Sequence, residues 1–541
     1  MKIRLPPAVL LLLAFPLSAE GIKFREVSRA WGIDFHHHNA SSGQWFMPET
    51  MVGGLVMFDF DGDGDQDLFF VDAGPLPGYT GEAPRSRLFR NDGNGHFTDW
   101  TAKSGIKLAY YGAGGAAADV DGDGDLDLFV TGFGGVQLFR NNGDGTFTDV
   151  TKRAGISDPL WSSSAAFADI DNDGDLDLLV INYVDFSFSN NPLCGDTKRK
   201  LRGYCHPDVY HGQPILLFRN QGDGTFEDAT KAVGLGGIAG PGLAVCFGDI
   251  DNDGWQDFYV ANDNKPNFLL HNKGNGTFED ISVLSGTAIG EPGHPEAGMG
   301  VDMGDYDGDG LLDIVVTNYE LETNGLYRNL GGGTFIDSRS PAGIAEPSLL
   351  FLAFGVAFAD FDQDGDIDLV ISDGNVEPNA AQLLEGSTYA QRNLVFENLG
   401  NGKLREDKAT GMDGVRVHRG LVVGDLDGDG DLDVAFNDEN EPCEVYENVS
   451  AGGAGRHWLQ VDFAAPSGNR FAIGTRQELE AAGLKKQIRD VKAGSSFASQ
   501  NALSVHFGLG KAEKVDRLTV RRPGKVQVFE GLPADRKIVI E

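Results

Sequence analysis

The chain has 541 residues and a formal net charge of −37 at pH 7, with 41% hydrophobic and 10% aromatic residues. That apolar content excludes wholesale disorder, and its 75 glycines lack the period of three that a collagen-like chain requires. The acidic balance argues against nucleic acid as a partner, because phosphates would be repelled, and the length calls for several modules or one large repeat architecture.

Lys2 and Arg4 precede an apolar run from Ala8 to Phe15, followed by Pro16 and the small pair Ser18-Ala19. This is the layout of a secretory signal peptide, and the run is too short to span a bilayer. Residues 1–19 are therefore expected to be a signal segment, which places the mature protein in a secreted or periplasmic setting. No later stretch approaches 18 apolar residues, so no membrane span is expected.

From residue 59 onward one phrase, D-x-D-x-D-G-x-x-D, recurs seven times. Its acidic positions are Asp59, Asp61, Asp63 and Asp67; Asp119, Asp121, Asp123 and Asp127; Asp169, Asp171, Asp173 and Asp177; and Asp249, Asp251, Asp253 and Asp257. The series continues with Asp305, Asp307, Asp309 and Asp313; Asp360, Asp362, Asp364 and Asp368; and Asp425, Asp427, Asp429 and Asp433. The spacings of 60, 50, 80, 56, 55 and 65 residues define a repeat of about 60, and the seven loops hold 33 of the 81 acidic residues. Four or five carboxylates within nine residues repel one another unless a cation intervenes. Calcium suits them: it takes six to eight oxygens in flexible geometry, and positions 1, 3, 5 and 9, with the carbonyl of position 7, can converge on one ion. Magnesium is stricter, and zinc would want His or Cys. Up to seven calcium ions are expected. An EF-hand would need a Glu at position 12 and flanking helices, a glycine-rich β-roll would repeat every nine residues, and acidic turns without metal would leave the repulsion standing.

The flanks of each loop read as strands. One apolar strand precedes the loop (Ala165 to Ala168) and a second follows it (Leu126 to Val130). Then come a third (Leu138 to Asn141), a Gly-rich turn (Asn142 to Gly145) and a fourth (Phe147 to Thr151). Four strands in about 60 residues, repeated around an axis, form a propeller blade. The seventh repeat has no fourth-strand phrase, but Phe24 to Ile33 (FREVSRAWGI) aligns without a gap to Phe147 to Ile156 (FTDVTKRAGI). The N-terminal strand is thus expected to complete the last blade and close the ring. The fold class is all-β: a seven-bladed β-propeller over residues 20–450, a linker over 451–455 and a small antiparallel β-sandwich over 456–541. That last segment carries 15 Lys and Arg against 9 Asp and Glu, so it is positive while the remainder is strongly negative. It could dock on the acidic ring or keep its charges solvated. Cys194 and Cys205 lie in one polar, basic stretch of the third repeat and are a plausible disulfide in an oxidising compartment; Cys246 sits in an apolar run and reads as a buried residue.

The repeats resemble the FG-GAP and VCBS repeats of integrin-like propellers, whose inter-strand loops bind calcium. The C-terminal segment resembles an ASPIC/UnbV domain through His457-Trp458-Leu459, Asn469 to Gly474 and His506 to Gly510, with departures at Thr475 to Gln477 and Arg521 to Gly524. The layout is similar to that of the cartilage acidic protein family and its bacterial relatives. The resemblance implies a secreted, calcium-stabilised, adhesion-like or matrix-associated protein.

Antiparallel strands put the acidic loops on one face of the ring and the longer connections on the other, where binding residues usually sit. Candidate ligand-binding residues there are Glu49, Tyr110, Tyr111, Trp161, His294, Glu296, His418 and Arg419, beside a His36-His37-His38 run. They suit a recognition surface for extracellular protein or glycan, with Tyr and Trp as stacking anchors. The alternative is a carbohydrate-active enzyme, a lyase or sugar-modifying catalyst, with His294, Glu296 and His418 as acid/base or metal-holding groups. The bland reading is that they are satisfied loop residues.

Overall fold

The computed structural model describes residues 21–450 and 455–541; the expected signal segment and most of the expected linker lie outside them. The described chain is all-β, with short helical turns only. Seven four-stranded antiparallel sheets follow one another along the chain. The first comprises Leu55–Phe58, Asp67–Phe70, Arg87–Asn91 and Phe97–Asp99, and the next five repeat that order with their acidic loop between the first and second strands. In the seventh, His418–Gly424, Asp433–Asp438 and Glu444–Asn448 are joined by the N-terminal strand Phe24–Glu26, with Phe24 opposite Asn448. The first strand of each sheet packs on that of the next, and the first strand of the seventh returns to Leu55–Phe58. The N-terminal strand thus supplies the fourth strand of the last sheet and joins the two ends of the repeat array.

Fourth strands are shorter than the phrase Phe147 to Thr151 implies. Pairing stops at Asp149, whose carboxylate accepts from the Thr151 backbone N–H at 3.0 Å and hydroxyl at 2.7 Å. This side-chain turn competes with the ladder and ends the strand. The third repeat carries the insertion, a hairpin of Cys194–Asp196 and Leu201–Gly203 closed by the Cys194–Cys205 disulfide. Cys246 and Cys443 are free and buried.

The C-terminal residues form a three-stranded sheet (Val505–Gly510, His457–Phe463, Arg536–Ile540) and a four-stranded one (Gln487–Asp490, Arg476–Ala481, Lys514–Arg522, Lys525–Pro533). The expectation of purely antiparallel pairing fails at one pair: His457–Phe463 and Arg536–Ile540 run parallel. The whole four-stranded sheet serves as the crossover such a pair needs. Leu459, Val461, Leu479, Phe507, Val515 and Leu518 share one apolar cluster with Ala116, Phe167 and Val245 of the ring, so the module docks.

Docking is completed by residues 493–502, which run into the centre of the ring. The segment bridges Phe167 through Ala493, Val301 through Ser496 and Val56 through Gln500. The Ser499 hydroxyl accepts from Leu55 N–H at 3.1 Å, and Gln500 Oε1 accepts from Ala117 N–H at 2.8 Å. Ser496 Oγ and Asn501 Oδ1 accept from Val356 and Val423 N–H. The inner strands are small at the contact: a Cβ on Gly54 or Gly114 would lie 2.3 Å from the Ala498 carbonyl oxygen. Gly54→Ala should therefore destabilise the protein by roughly 1–3 kcal/mol, as overpacking does, read as a lowered denaturant midpoint. Gly237→Ala, where a Cβ meets nothing within 4 Å, is the control. Equal midpoints for the two variants would show that the central segment is not held there.

Candidate metal centres in the acidic loops

Each loop turns on its first Asp. In the first sheet, Asp59 accepts from Gly62 N–H at 2.8 Å and from Gly64 N–H at 2.9 Å. Gly64 has φ of +97°, which a non-glycine residue would adopt only with strain. The ninth residue is buried and pins the loop to the strands: Asp67 accepts from Phe60 N–H at 2.9 Å and from Asn91 N–H at 2.7 Å. The same pair of bonds recurs at Asp127, Asp177, Asp257, Asp313, Asp368 and Asp433.

These constraints bring positions 1, 3 and 9 together. Carboxylate oxygens of Asp59, Asp61 and Asp67 lie within 4.8 Å of one another, as do those of Asp119, Asp121 and Asp127; in the third loop Asp169, Asp171 and Asp173 converge. Burial, helped by the neighbouring loop carboxylates, pushes Asp59, Asp119, Asp169 and Asp305 up to about 6 and Asp425 to about 7. Burial likewise raises Asp177 to about 8. At the third position, the Oδ1 atoms of Asp121, Asp171 and Asp251 are buried and accept no hydrogen bond. An orphaned carboxylate oxygen costs the full desolvation penalty of a charged acceptor, and a hard cation with oxygen ligands would satisfy it. The donor set, carboxylates joined in the fourth loop by the His271 imidazole, fits calcium.

Protein cations meet little of this charge. Among the described residues, six basic side chains come within 4.0 Å of loop carboxylates: Arg140 at Asp121, Arg219 at Asp171, His271 at Asp251 and Asp257, Arg328 at Asp307 and Asp309, Arg456 at Asp362 and Lys485 at Asp366. The C-terminal module covers this loop face. Arg470 donates to the Asp123 carbonyl, Lys485 to the Asp307 carbonyl and Lys537 to the Gly64 carbonyl. Gly508 N–H donates to Asp360 at 3.1 Å. Of the two open alternatives, docking and solvation, the structure shows docking, through loop carbonyls and through the carboxylates of Asp360, Asp362 and Asp366.

One repeated functional group went unused in the sequence reading. The Asn that ends every third strand reaches the acidic loop of the preceding sheet. Asn141 Nδ2 donates to Phe60 O at 2.7 Å, and Asn220, Asn272, Asn329, Asn398 and Asn448 donate to Val120, Ile170, Ile250, Tyr306 and Phe361. Asn91 donates to Leu426 O at 2.7 Å, which joins the first sheet to the seventh. The signal was present in the sequence, since an Asn follows Arg90, Arg140, Arg219, His271, Arg328, Glu397 and Glu447 at the same offset.

On the opposite face, most residues singled out from the sequence are buried. Glu49 accepts from the Tyr204 hydroxyl at 2.6 Å, and the Tyr111 hydroxyl donates to Asn39 O. Trp161 packs edge-on to Tyr183. Glu296 holds Arg339 through two bonds of 2.7 Å, and Arg419 pairs with Glu439 and donates to the Thr50, Gly374 and Asn375 carbonyls. His418 sits between Glu444 and the Asp373 carbonyl. Tyr110 and His294 are exposed. The structure therefore does not bring the eight residues into one open site; segments 39–52 and 183–211 cover the mouth, with Phe46, Tyr183, Phe186 and Phe497 in one cluster.

Propeller sheets bearing an acidic loop at one fixed corner, capped by a separate β module, define the class of protein. The chain belongs to the FG-GAP-like repeat family, which it matches at residues 59–130, 119–180, 206–260, 249–316 and 305–371, and residues 465–541 match the ASPIC and UnbV family. The seventh loop lies beyond those repeat matches. The chain is 29% identical to cartilage acidic protein 1 of Homo sapiens over 298 residues, 53% of this chain and 41% of that protein. It is 30% identical to the Mus musculus protein over 279 residues, 50% and 40% of the two chains. The matched region thus spans about 40% of the length of these relatives. Among solved structures, similarity extends to an Agrocybe aegerita lectin studied for recognition of non-reducing terminal N-acetylglucosamine, with 20% identity, TM-score 0.36 and coverage of 74% of this chain and 91% of that one. It also extends to YCF48 bound to D1 peptide, with 8% identity, TM-score 0.40 and coverage of 73% and 92%.

Removing an inter-sheet bridge tests the geometry. Asn272→Ala leaves the Ile170 carbonyl and Gly274 N–H without their partner, so a loss of about 1–3 kcal/mol is expected, measured by chemical denaturation. An unchanged midpoint would mean that the repeated Asn does not tie the sheets together.

Proposed function

We propose that the protein is a secreted, calcium-binding, seven-bladed β-propeller whose C-terminal β-sandwich plugs and caps the ring, and that it acts outside the cell as a recognition or adhesion module. The seven sheets are its blades, with the ring over residues 20–450 and the sandwich over 456–541. The observation that carries the calcium reading is the buried, unpartnered third-position oxygen in the loops of Asp121, Asp171 and Asp251. Calcium at each loop neutralises the cluster and fixes the corner from which the Asn bridges spring. Its role is structural: an ion that binds only the folded state adds about 2.7 kcal/mol per site at 100 times Kd.

With the loop face covered by the sandwich, recognition falls to the opposite face. There the disulfide-closed hairpin displays Lys198 and Lys200 to solvent, next to exposed Leu193 and Phe188. Arg199 fixes the hairpin by donating to the Gln382 and Leu383 carbonyls. A basic, rigid tip on a chain of net charge −37 suits an anionic extracellular glycan or an acidic protein segment.

Two measurements check this reading. Excess EDTA should lower Tm by more than 10 °C, reversibly on adding calcium; an unchanged Tm would contradict structural calcium. On arrays of glycans and matrix proteins, binding to anionic ligands should be lost in the Lys198→Glu/Lys200→Glu variant with Tm unchanged. Equal binding by that variant would move the recognition surface elsewhere.

A further inference from the structure

At the end of the seventh sheet remote from its acidic loop, three adjacent strands bring together an imidazole and two carboxylates. His418 opens the first strand, Asp438 closes the second directly opposite it, and Glu444 opens the third. His418 Nε2 is 3.0 Å from Glu444 Oε2 and 3.7 Å from Asp438 Oδ1, and one ligand atom from each of the three lies within 4.8 Å of the others. All three are buried, His418 and Asp438 completely. Both oxygens of Asp438 lack a hydrogen-bond partner. Arg416 Nε lies 4.0 Å from Asp438 Oδ2, beyond hydrogen-bond reach, so a carboxylate wholly removed from water faces an imidazole and a guanidinium without a hydrogen bond to either, a costly arrangement for a protein to keep without a ligand.

We propose that His418, Asp438 and Glu444 bind one divalent transition-metal ion of the zinc or manganese kind, separate from the calcium loops. Ligand bonds of about 2.0–2.2 Å to a tetrahedral ion put donor atoms roughly 3.3 Å apart, and the observed 3.0 and 3.7 Å bracket that figure. The surrounding contacts are those a metal-bound histidine requires. Nδ1 of His418 faces the Asp373 carbonyl at 3.1 Å, which fixes the tautomer that leaves Nε2 as the donor to metal. The second oxygen of Glu444 accepts from Arg416 Nε at 2.7 Å, so the carboxylate is oriented from outside the cluster. The nitrogen ligand favours a transition metal over calcium; of the acidic loops, the fourth also has an imidazole at hand, His271 beside Asp251 and Asp253.

The set is peculiar to this sheet. Where His418 faces Asp438, the third, fourth and sixth sheets pair Ser162 with Asn182, Gly242 with Asn262 and Ala353 with Asp373. At the place of Glu444 the other sheets carry Arg87, Gln137, Leu216, Phe268, Gly325 and Leu394. In the sixth sheet Asp373 holds the place of Asp438, likewise with both oxygens unpartnered, but Ala353 and Leu394 stand where this sheet has His418 and Glu444.

The test uses the full chain produced in medium supplemented with zinc or manganese and dialysed exhaustively against calcium-containing buffer. Elemental analysis should find about one transition-metal ion per chain in the wild type and less than a tenth of that in Asp438→Asn and in His418→Gln, with calcium content unchanged. A wild type that retains no transition metal, or variants that retain as much, would overturn the assignment and leave a metal-free imidazole–carboxylate cluster. Should the variants fail to fold, protein produced with cobalt decides: a visible d–d spectrum abolished by zinc but not by calcium supports the site, and its absence overturns it.

Discussion

Buried carboxylates that repel one another organise this protein. Burial at the corner of every repeat raises the free energy of the charged first-position Asp, and neighbouring loop carboxylates add to it at Asp59, Asp119, Asp169, Asp305, Asp360 and Asp425. Thirty-three loop acids face six basic side chains within ion-pair distance among the described residues. Asp59, Asp61, Asp425 and Asp427 form no ion pair among the described residues, and burial pushes Asp425 up to about 7. Such loops hold their shape by turning backbone N–H groups inward, which offsets only part of the cost.

The rest of the architecture is attached to those corners. The ninth Asp takes the N–H of the Asn that ends the third strand, and that Asn reaches the loop of the preceding sheet. One acidic loop therefore fixes its own sheet and its neighbour. The bond from Asn91 to Leu426 and the pairing of Phe24–Glu26 with Glu444–Asn448 bring the same logic round to the start of the chain. The C-terminal module adds a second closure from within: its central segment touches inner strands, and its cations dock on loop carbonyls.

Much of this was legible in the sequence. The seven loops, the strand flanks and the N-terminal phrase that pairs with Glu444–Asn448 follow from repeated residues at fixed offsets. The disulfide follows from two cysteines in one polar insertion. The repeated Asn was equally visible, but its meaning depends on which sheet lies beside which, and no local pattern states that. Residues 493–502 are small and polar and carry no periodicity; their role is set by glycines at positions 54 and 114, far away in sequence. The far face was misjudged for a related reason. Glu49, Glu296, His418 and Arg419 read as exposed loop residues, yet each is buried against partners from elsewhere in the chain: Glu49 by Tyr204, Glu296 by Arg339, His418 by Glu444 and the Asp373 carbonyl, and Arg419 by Glu439 and the Thr50 carbonyl. Polar residues next to a channel mark a binding site only when nothing else in the chain occupies it.

The central physical statement is that cations complete the acidic corners. A crystal grown with calcium tests it most directly, through anomalous difference density in the seven loops. The result expected is a peak coordinated by positions 1, 3, 5 and 9 in most of them, with the third-position oxygens of Asp121, Asp171 and Asp251 among the ligands. Loops in the same conformation without density, their carboxylates met by Arg, Lys or water alone, would contradict it.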